Sequence, residues 1–62
     1  MTDEQKKLKE KLELLNPIEL TQVKMLYSIK QTTPQEIAES ITDPKRIQGM
    51  INLVNKQKNI TD

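Results

Sequence analysis

The side chains best suited to specific chemistry lie between residues 44 and 60, a segment that contains no acidic residue. Its lysine and arginine side chains can neutralise phosphates, and its glutamine and asparagine amides can donate and accept hydrogen bonds at base edges. A helical period of about 3.6 residues turns these polar side chains away from one apolar stripe, formed by Ile47, Met50, Ile51 and Val54. A polar face of this kind is more often simply solvated, and a helix that reads nucleic acid is the functional alternative.

The charge distribution along the chain also singles out this segment. The whole chain has ten basic and nine acidic residues and a net charge of +1, so net charge alone predicts no strong affinity for nucleic acid or membrane. Residues 1–43 have six lysines against eight carboxylates, a balance of −2, whereas residues 44–60 have four basic residues and a balance of +4. One end of the domain is therefore expected to be locally cationic.

Enzymatic chemistry is poorly provided for in this sequence. The chain contains no histidine and no cysteine, and therefore no imidazole base, no thiol nucleophile and no preferred zinc ligand. Glu10 with Glu13, and Glu36 with Glu39, have the spacing of paired carboxylates, but without a partner group they indicate solvated surface. The only glycine, Gly49, falls inside a predicted helix, where it either permits close approach of another surface or is simply tolerated. We expect no catalytic residue, metal, cofactor or small-molecule substrate.

The sequence predicts four helices, and each begins at a residue that can cap a helix. Asn16, Thr33 and Asp43 each stand directly before a proline, which suits the first helical position, and Thr2 gives a weaker fourth start. The helices after Asn16 and Thr33 also have glutamate at their third position, which predicts capping boxes. No run alternates long enough to make a strand, so one small all-α domain is expected. The predicted helices span residues 3–15, 17–31, 34–41 and 44–58, with 59–62 as a frayed tail.

The predicted helix 17–31 has apolar side chains around most of its circumference. These are Ile18, Leu20, Val23, Met25, Leu26, Tyr27 and Ile29. A helix that is apolar on most sides is usually buried, so we expect it to be the central helix of a compact bundle. Three apolar residues exceed the needs of this core, namely Leu14, Leu53 and Met25, and the two leucines are candidate protein-interface residues.

The order of the elements resembles a helix-turn-helix DNA-binding module. Leu20-Thr21-Gln22-Val23-Lys24-Met25-Leu26, followed by the helix after Thr33 and by the basic helix, is similar to the core of a MarR-type winged-helix regulator without its wing. The similarity extends over about 40 of the 62 residues. It implies base contacts from one set of residues and phosphate contacts from another. The first set is Lys45, Arg46, Gln48, Gly49 and Asn52, and the second is Thr33, Lys56 and Lys58.

Two functions remain open from the sequence, and the first is favoured because charge segregation and helix order both point to it. The first is a DNA-binding or transcription-regulating protein that presents helix 44–58 to a groove, with homodimerisation because one short helix makes few contacts. The second is a protein-interaction module, an adaptor, an inhibitor or a self-assembling subunit, that docks on a larger protein through Leu14 and Leu53. Without a long apolar run or a signal-peptide start, a cytoplasmic protein that does not engage a membrane is expected.

Overall fold

Four helices build the computed structural model, which describes residues 1–59. They are α1 (Asp3–Glu13), α2 (Pro17–Tyr27), α3 (Pro34–Ser40) and α4 (Pro44–Lys58). No strand occurs within the described residues, and the predicted all-α fold is confirmed. Asn59 caps α4 in the left-handed conformation, and the rest of the predicted tail, residues 60–62, lies outside the described residues.

Each helix begins at the capping residue that the sequence predicts. Thr2, Asn16, Thr33 and Asp43 all have extended backbone, and the side-chain oxygen of each accepts a backbone N–H from the first turn. Reciprocal capping boxes form at α1 and α2. The capping box predicted for α3 is replaced by a different pair, because the Glu36 carboxylate accepts from the Thr33 hydroxyl, at 2.9 Å.

The ends of the helices follow the sequence less closely. α1 and α3 end two residues and one residue before the predicted positions, and α2 ends four residues early. At the end of α2, Ser28 adopts the left-handed conformation with φ 55°, and the Ile29 N–H donates to the Lys24 carbonyl at 2.8 Å. This closure turns the chain out of the helix. The predicted extension of α2 to residue 31 is therefore wrong.

The core is formed mainly by the three helices that have a clear apolar stripe. α1 packs against both α3 and α4. The buried stripe of α4 is the one predicted from its period, and α1 and α3 contribute Leu8, Leu12, Ile37 and Ala38 to the same core. Within residues 1–59 the buried apolar side chains are Leu8, Leu12, Val23, Ile37, Ala38, Ile41, Ile47, Met50, Ile51 and Val54.

The prediction that helix 17–31 is the centre of the bundle is wrong. α2 supplies one fully buried side chain, Val23, whereas Ile18, Met25 and Leu26 are 72%, 76% and 67% exposed. A helix with apolar residues on all sides buries them only when neighbours surround it, and here the other three helices pack chiefly with one another. α2 therefore lies on the outside of the bundle and leaves an apolar face uncovered.

A buried glutamine joins α1 to the connection between α3 and α4. The Gln5 side chain is 6% exposed, and its Nε2 donates to the Ala38 carbonyl at 3.0 Å and to the Ile41 carbonyl at 2.8 Å. Its Oε1 accepts the Thr2 N–H at 2.8 Å. The last carbonyls of a helix lack full hydrogen-bond partners inside the helix, so this amide strengthens the bonding of the Ala38 carbonyl, which also accepts the Ile41 N–H at 3.4 Å, and supplies a donor to the Ile41 carbonyl just beyond α3. Gln5 thereby fixes the turn from which α4 starts.

Candidate functional site

Four of the predicted DNA contacts lie together on the exposed side of α4. Lys45, Gln48, Asn52 and Lys56 are exposed and follow one another at intervals of three, four and four residues, which places them in one stripe. The stripe is about 16 Å long at a rise of about 1.5 Å per residue. Gln48 Nε2 donates to Asn52 Oδ1 at 2.8 Å, so these two amides hold each other in place. The opposite side of α4 is anchored in the core, which makes this stripe a rigid polar surface.

Two other predicted DNA contacts face α2. Arg46 Nη2 donates to the Tyr27 carbonyl at 2.6 Å, and the guanidinium carbon lies 5.7 Å from the centre of the Tyr27 ring. A Cβ atom at Gly49 would lie 3.3 Å from the Tyr27 hydroxyl oxygen. Of the two interpretations of Gly49, the structure favours the one in which glycine permits close approach of a neighbouring surface.

An ion pair joins α2 and α4 at the opposite end of the two helices from the contact between Arg46 and Tyr27. Lys58 Nζ lies 2.6 Å from Glu19 Oε1. The hydrogen bond from Lys58 holds the pKa of Glu19 below its ordinary value, and donation by the Asn16 backbone N–H acts in the same direction. Because Lys58 is at the end of α4 and Glu19 at the start of α2, while Arg46 and Tyr27 lie at the opposite ends, the two helices run antiparallel.

The remaining predicted DNA contact, Thr33, lies apart from the stripe on α4. Its hydroxyl caps α3 and donates to the Glu36 carboxylate. An acidic side chain at this position repels a phosphate rather than attracting one. Of the eight predicted contacts, the structure thus brings four together on one exposed surface.

The predicted protein-interface residues have different surroundings. Leu14 is 52% exposed and lies off the side of α1 that buries Leu8 and Leu12. Leu53 is half-buried and packs against the core cluster, so little of it is available to a partner. The larger apolar surface is on α2, where Ile18, Met25 and Leu26 occupy one face at the spacing i, i+7 and i+8. We call this surface the α2 apolar face.

The sequence predicts Ile18 and Leu26 in the core, so most of the α2 apolar face was missed. The sequence nevertheless contains evidence for this exposed apolar face. α2 is apolar around most of its circumference, whereas only α1 and α4 offer long complementary stripes, and a chain of 62 residues cannot enclose a whole helix. An excess of apolar residues on one helix of a small domain therefore predicts an exposed face as well as a buried one.

A shallow groove adjoins the C-terminal end of the α2 apolar face. It has a volume of about 440 Å³ and is lined by Thr21, Lys24, Met25, Ser28, Ile29 and Lys30. A neighbouring cleft of about 370 Å³ shares the 28–30 segment and extends to the turn between α3 and α4, where Asp43 and Arg46 line it. The groove contains two lysines and no acidic residue, whereas the cleft contains both signs of charge.

Other classes of site are not found in the described part of the chain. Residues 1–59 contain no group of three or more side chains that could hold a metal ion, and none of their helices is both long and apolar enough to cross a membrane. Comparison with known protein families, with curated proteins and with solved structures found no match.

Proposed function

We propose that this protein is a non-enzymatic binding module that associates with another protein through the α2 apolar face. The observation that carries the proposal is the exposure of Ile18, Met25 and Leu26, at 72%, 76% and 67%, on one side of a single helix. Single apolar residues are common on protein surfaces, but several large ones on one face are typical of interaction sites. The core closes without these three side chains, so folding does not account for them.

The size of the face sets the strength of the expected association. Full burial of a large apolar side chain contributes about 1.5–3 kcal/mol, so covering the exposed parts of these three contributes roughly 3–6 kcal/mol. Association itself costs at least about 4 kcal/mol in lost translational and rotational freedom. The α2 apolar face can therefore form the centre of an interface, and polar contacts around it must supply the rest of the affinity.

Site-specific photo-cross-linking tests the proposal. A photoreactive amino acid replaces Leu26 on the α2 apolar face, and in a matched control it replaces Gln57, which is exposed on α4. In the producing cell, we expect a discrete cross-linked protein, or a second copy of the chain, from position 26 and not from position 57. Identical patterns from the two positions, or no cross-linked protein at all, would show that the α2 apolar face is not an interface.

DNA binding through α4 is the second candidate. It is supported by the exposed, acid-free stripe formed by Lys45, Gln48, Asn52 and Lys56. The guanidinium of the adjacent Arg46 is engaged with Tyr27, so it is less free to contact DNA than the sequence suggests. Two lysines give a weak electrostatic contribution, so any DNA affinity of a single copy should be low.

A fluorescence titration with duplex DNA at low salt tests this candidate. We expect affinity that falls with salt, and a salt slope reduced by about one when Lys56 is replaced by alanine. Lys6→Ala, at an exposed position of α1, is the control and should leave the titration unchanged. If Lys6→Ala and Lys56→Ala weaken binding equally, the attraction is a general effect of charge and α4 is not the binding surface.

A further inference from the structure

We infer that the groove at the C-terminal end of α2 binds an acidic, amphipathic peptide segment of the partner protein. In this arrangement an apolar side chain of the peptide contacts Met25 and Ile29, and its carboxylates pair with Lys24 and Lys30. The inference rests on the proposed protein-binding function and specifies the chemistry of the partner. It is carried by the shape of the groove, by its apolar floor and by the charges at its rim.

The floor of the groove can accept an apolar side chain. Met25 is 76% exposed, and Ile29 is half-buried where it packs against the core cluster. Because α2 ends at Tyr27, Ile29 and Lys30 lie outside the helix and form the other side of the groove. Its volume of about 440 Å³ lies within the usual range of small binding sites, about 300–1,000 Å³. Methionine adapts its shape readily, which suits a contact with a flexible segment.

The rim of the groove selects negative charge. Lys24 and Lys30 line it, and none of the other lining residues is charged. Among residues 1–59 neither lysine has a carboxylate partner. The nearest acidic residue along the adjoining cleft is Asp43, whose carboxylate already accepts the Lys45 N–H at the start of α4. A peptide carboxylate at this rim therefore gains two cations without displacing an existing ion pair.

A peptide satisfies both features of the groove better than a membrane or a nucleic acid does. Binding to an anionic membrane surface usually requires about four or more clustered basic residues and aromatic anchors. Here two lysines flank the groove, and the only aromatic residue, Tyr27, is packed against α4. A nucleic-acid backbone can pair with the lysines but leaves the exposed side chain of Met25 uncovered. An acidic segment with regularly spaced apolar residues uses both.

A titration with designed peptides tests the inference on the full chain. The probe is a fluorescent peptide of about 16 residues with leucines on one helical face and glutamates elsewhere, and its counterpart has lysine in place of every glutamate. We expect the acidic peptide to bind with a Kd of about 10–100 µM and the basic peptide to bind at least tenfold more weakly, as for a small interface. Met25→Asp should weaken the acidic peptide about tenfold without unfolding the chain, because this side chain is exposed.

Charge reversal makes the test specific. The double variant Lys24→Glu, Lys30→Glu should lose the acidic peptide and gain the basic one, whereas Lys6→Glu on α1 should change neither. Saturable binding with this exchange of preference supports the inference. The inference is overturned by no binding up to about 1 mM, by equal binding of the two peptides, or by peptide binding that the charge reversal leaves unchanged. Binding of phosphatidylserine vesicles that is stronger than peptide binding and needs the same lysines also overturns it, in favour of a lipid surface.

The two proposals fail in distinguishable ways. A protein cross-linked at position 26 together with no binding of the acidic peptide leaves the protein-binding function standing and overturns the inference about the groove. The absence of any cross-linked protein overturns the protein-binding function itself. Self-association detected by sedimentation, with dependence on the α2 apolar face and not on Lys24 and Lys30, likewise overturns the acidic peptide as the occupant.

Discussion

Replacement of Gln5 by leucine should reveal how much the domain depends on one buried amide. The Gln5 side chain is 6% exposed and donates to the Ala38 and Ile41 carbonyls at 3.0 and 2.8 Å. Leucine has a similar size but no donor, so the substitution removes both hydrogen bonds while it largely preserves the packing. It also removes the acceptor of the Thr2 N–H and so opens the capping box of α1.

The expected loss can be worked out bond by bond. The Ala38 carbonyl keeps a weak partner, the Ile41 N–H at 3.4 Å, so losing Gln5 there costs about 1 kcal/mol. The Ile41 carbonyl lies beyond the last residue of α3, and leaving it without the buried donor costs about 1–3 kcal/mol. The total is about 2–4 kcal/mol. Because a domain of 62 residues is stable by about 3–9 kcal/mol, this single change removes a large share of the folding free energy.

Urea denaturation followed by circular dichroism measures this loss. Gln22→Leu is the matched control, because Gln22 is exposed on α2 and its replacement should change the free energy of unfolding by less than about 0.5 kcal/mol. If Gln5→Leu falls within the same small range as Gln22→Leu, the Gln5 amide does not hold α1 to the α3–α4 turn.

The Gln5→Glu variant adds a test of the same contact by pH. The introduced carboxyl keeps the acceptor but faces two carbonyl oxygens in a buried position, which raises its pKa in the folded state. A raised pKa contributes stability that is present below the ordinary carboxyl pKa and is lost as the pH rises through the folded-state value. The deficit of Gln5→Glu relative to the parent should therefore grow from about pH 4 to about pH 7. A deficit that is equal at the two pH values contradicts the contact.

Three further predictions concern the contacts of α2. Gly49→Ala gains up to about 1 kcal/mol of helix propensity but crowds the Tyr27 hydroxyl, so a double-mutant cycle in urea should show a larger gain when Tyr27 is replaced by phenylalanine. Ser28→Gly should raise the free energy of unfolding by about 0.5–1 kcal/mol in the same assay, because φ is 55° at this position and glycine adopts it without strain. Lys58→Met should return the pKa of Glu19 towards its ordinary value in an NMR titration. Since the pKa of Glu19 is lowered in the folded state, its contribution is present above the ordinary carboxyl pKa and is lost as the pH falls, so Lys58→Met should destabilise the protein at neutral pH and not in acid.

The helix starts could be predicted from the sequence because their causes are adjacent in the chain. A capping side chain next to a proline, as at Asn16 and Asp43, determines a start within one turn. The end of α2 could not be predicted in this way, because Ser28 takes a left-handed conformation that glycine usually marks. Gln5 pairs with residues 33 and 36 positions away, although its spacing of three and seven from Leu8 and Leu12 places it on the buried stripe.

Part of the candidate site could also be predicted, because its causes lie within one helix. The period of α4 separates its buried side from its polar side, and the stripe from Lys45 to Lys56 is indeed exposed. The period does not show which neighbour covers the flank, so the contacts of Arg46 and Gly49 with Tyr27 could not be foreseen. Likewise, the apolar residues of α2 show that the helix needs apolar neighbours, but not whether these neighbours belong to its own chain.

The α2 apolar face is the side of α2 that its own chain leaves uncovered. α2 is held to the bundle by Val23, by the contacts of Tyr27 with α4 and by the ion pair of Glu19, and none of these involves the exposed side of the helix. Folding and binding therefore use different sides of one helix. Polar replacements of Met25 and Leu26 should spare the fold, whereas a partner present at about a hundred times its Kd adds about 2.7 kcal/mol to the free energy of unfolding. In a domain this small, such a gain is comparable with the contribution of Gln5, so a partner can stabilise the fold as effectively as one of its own buried contacts.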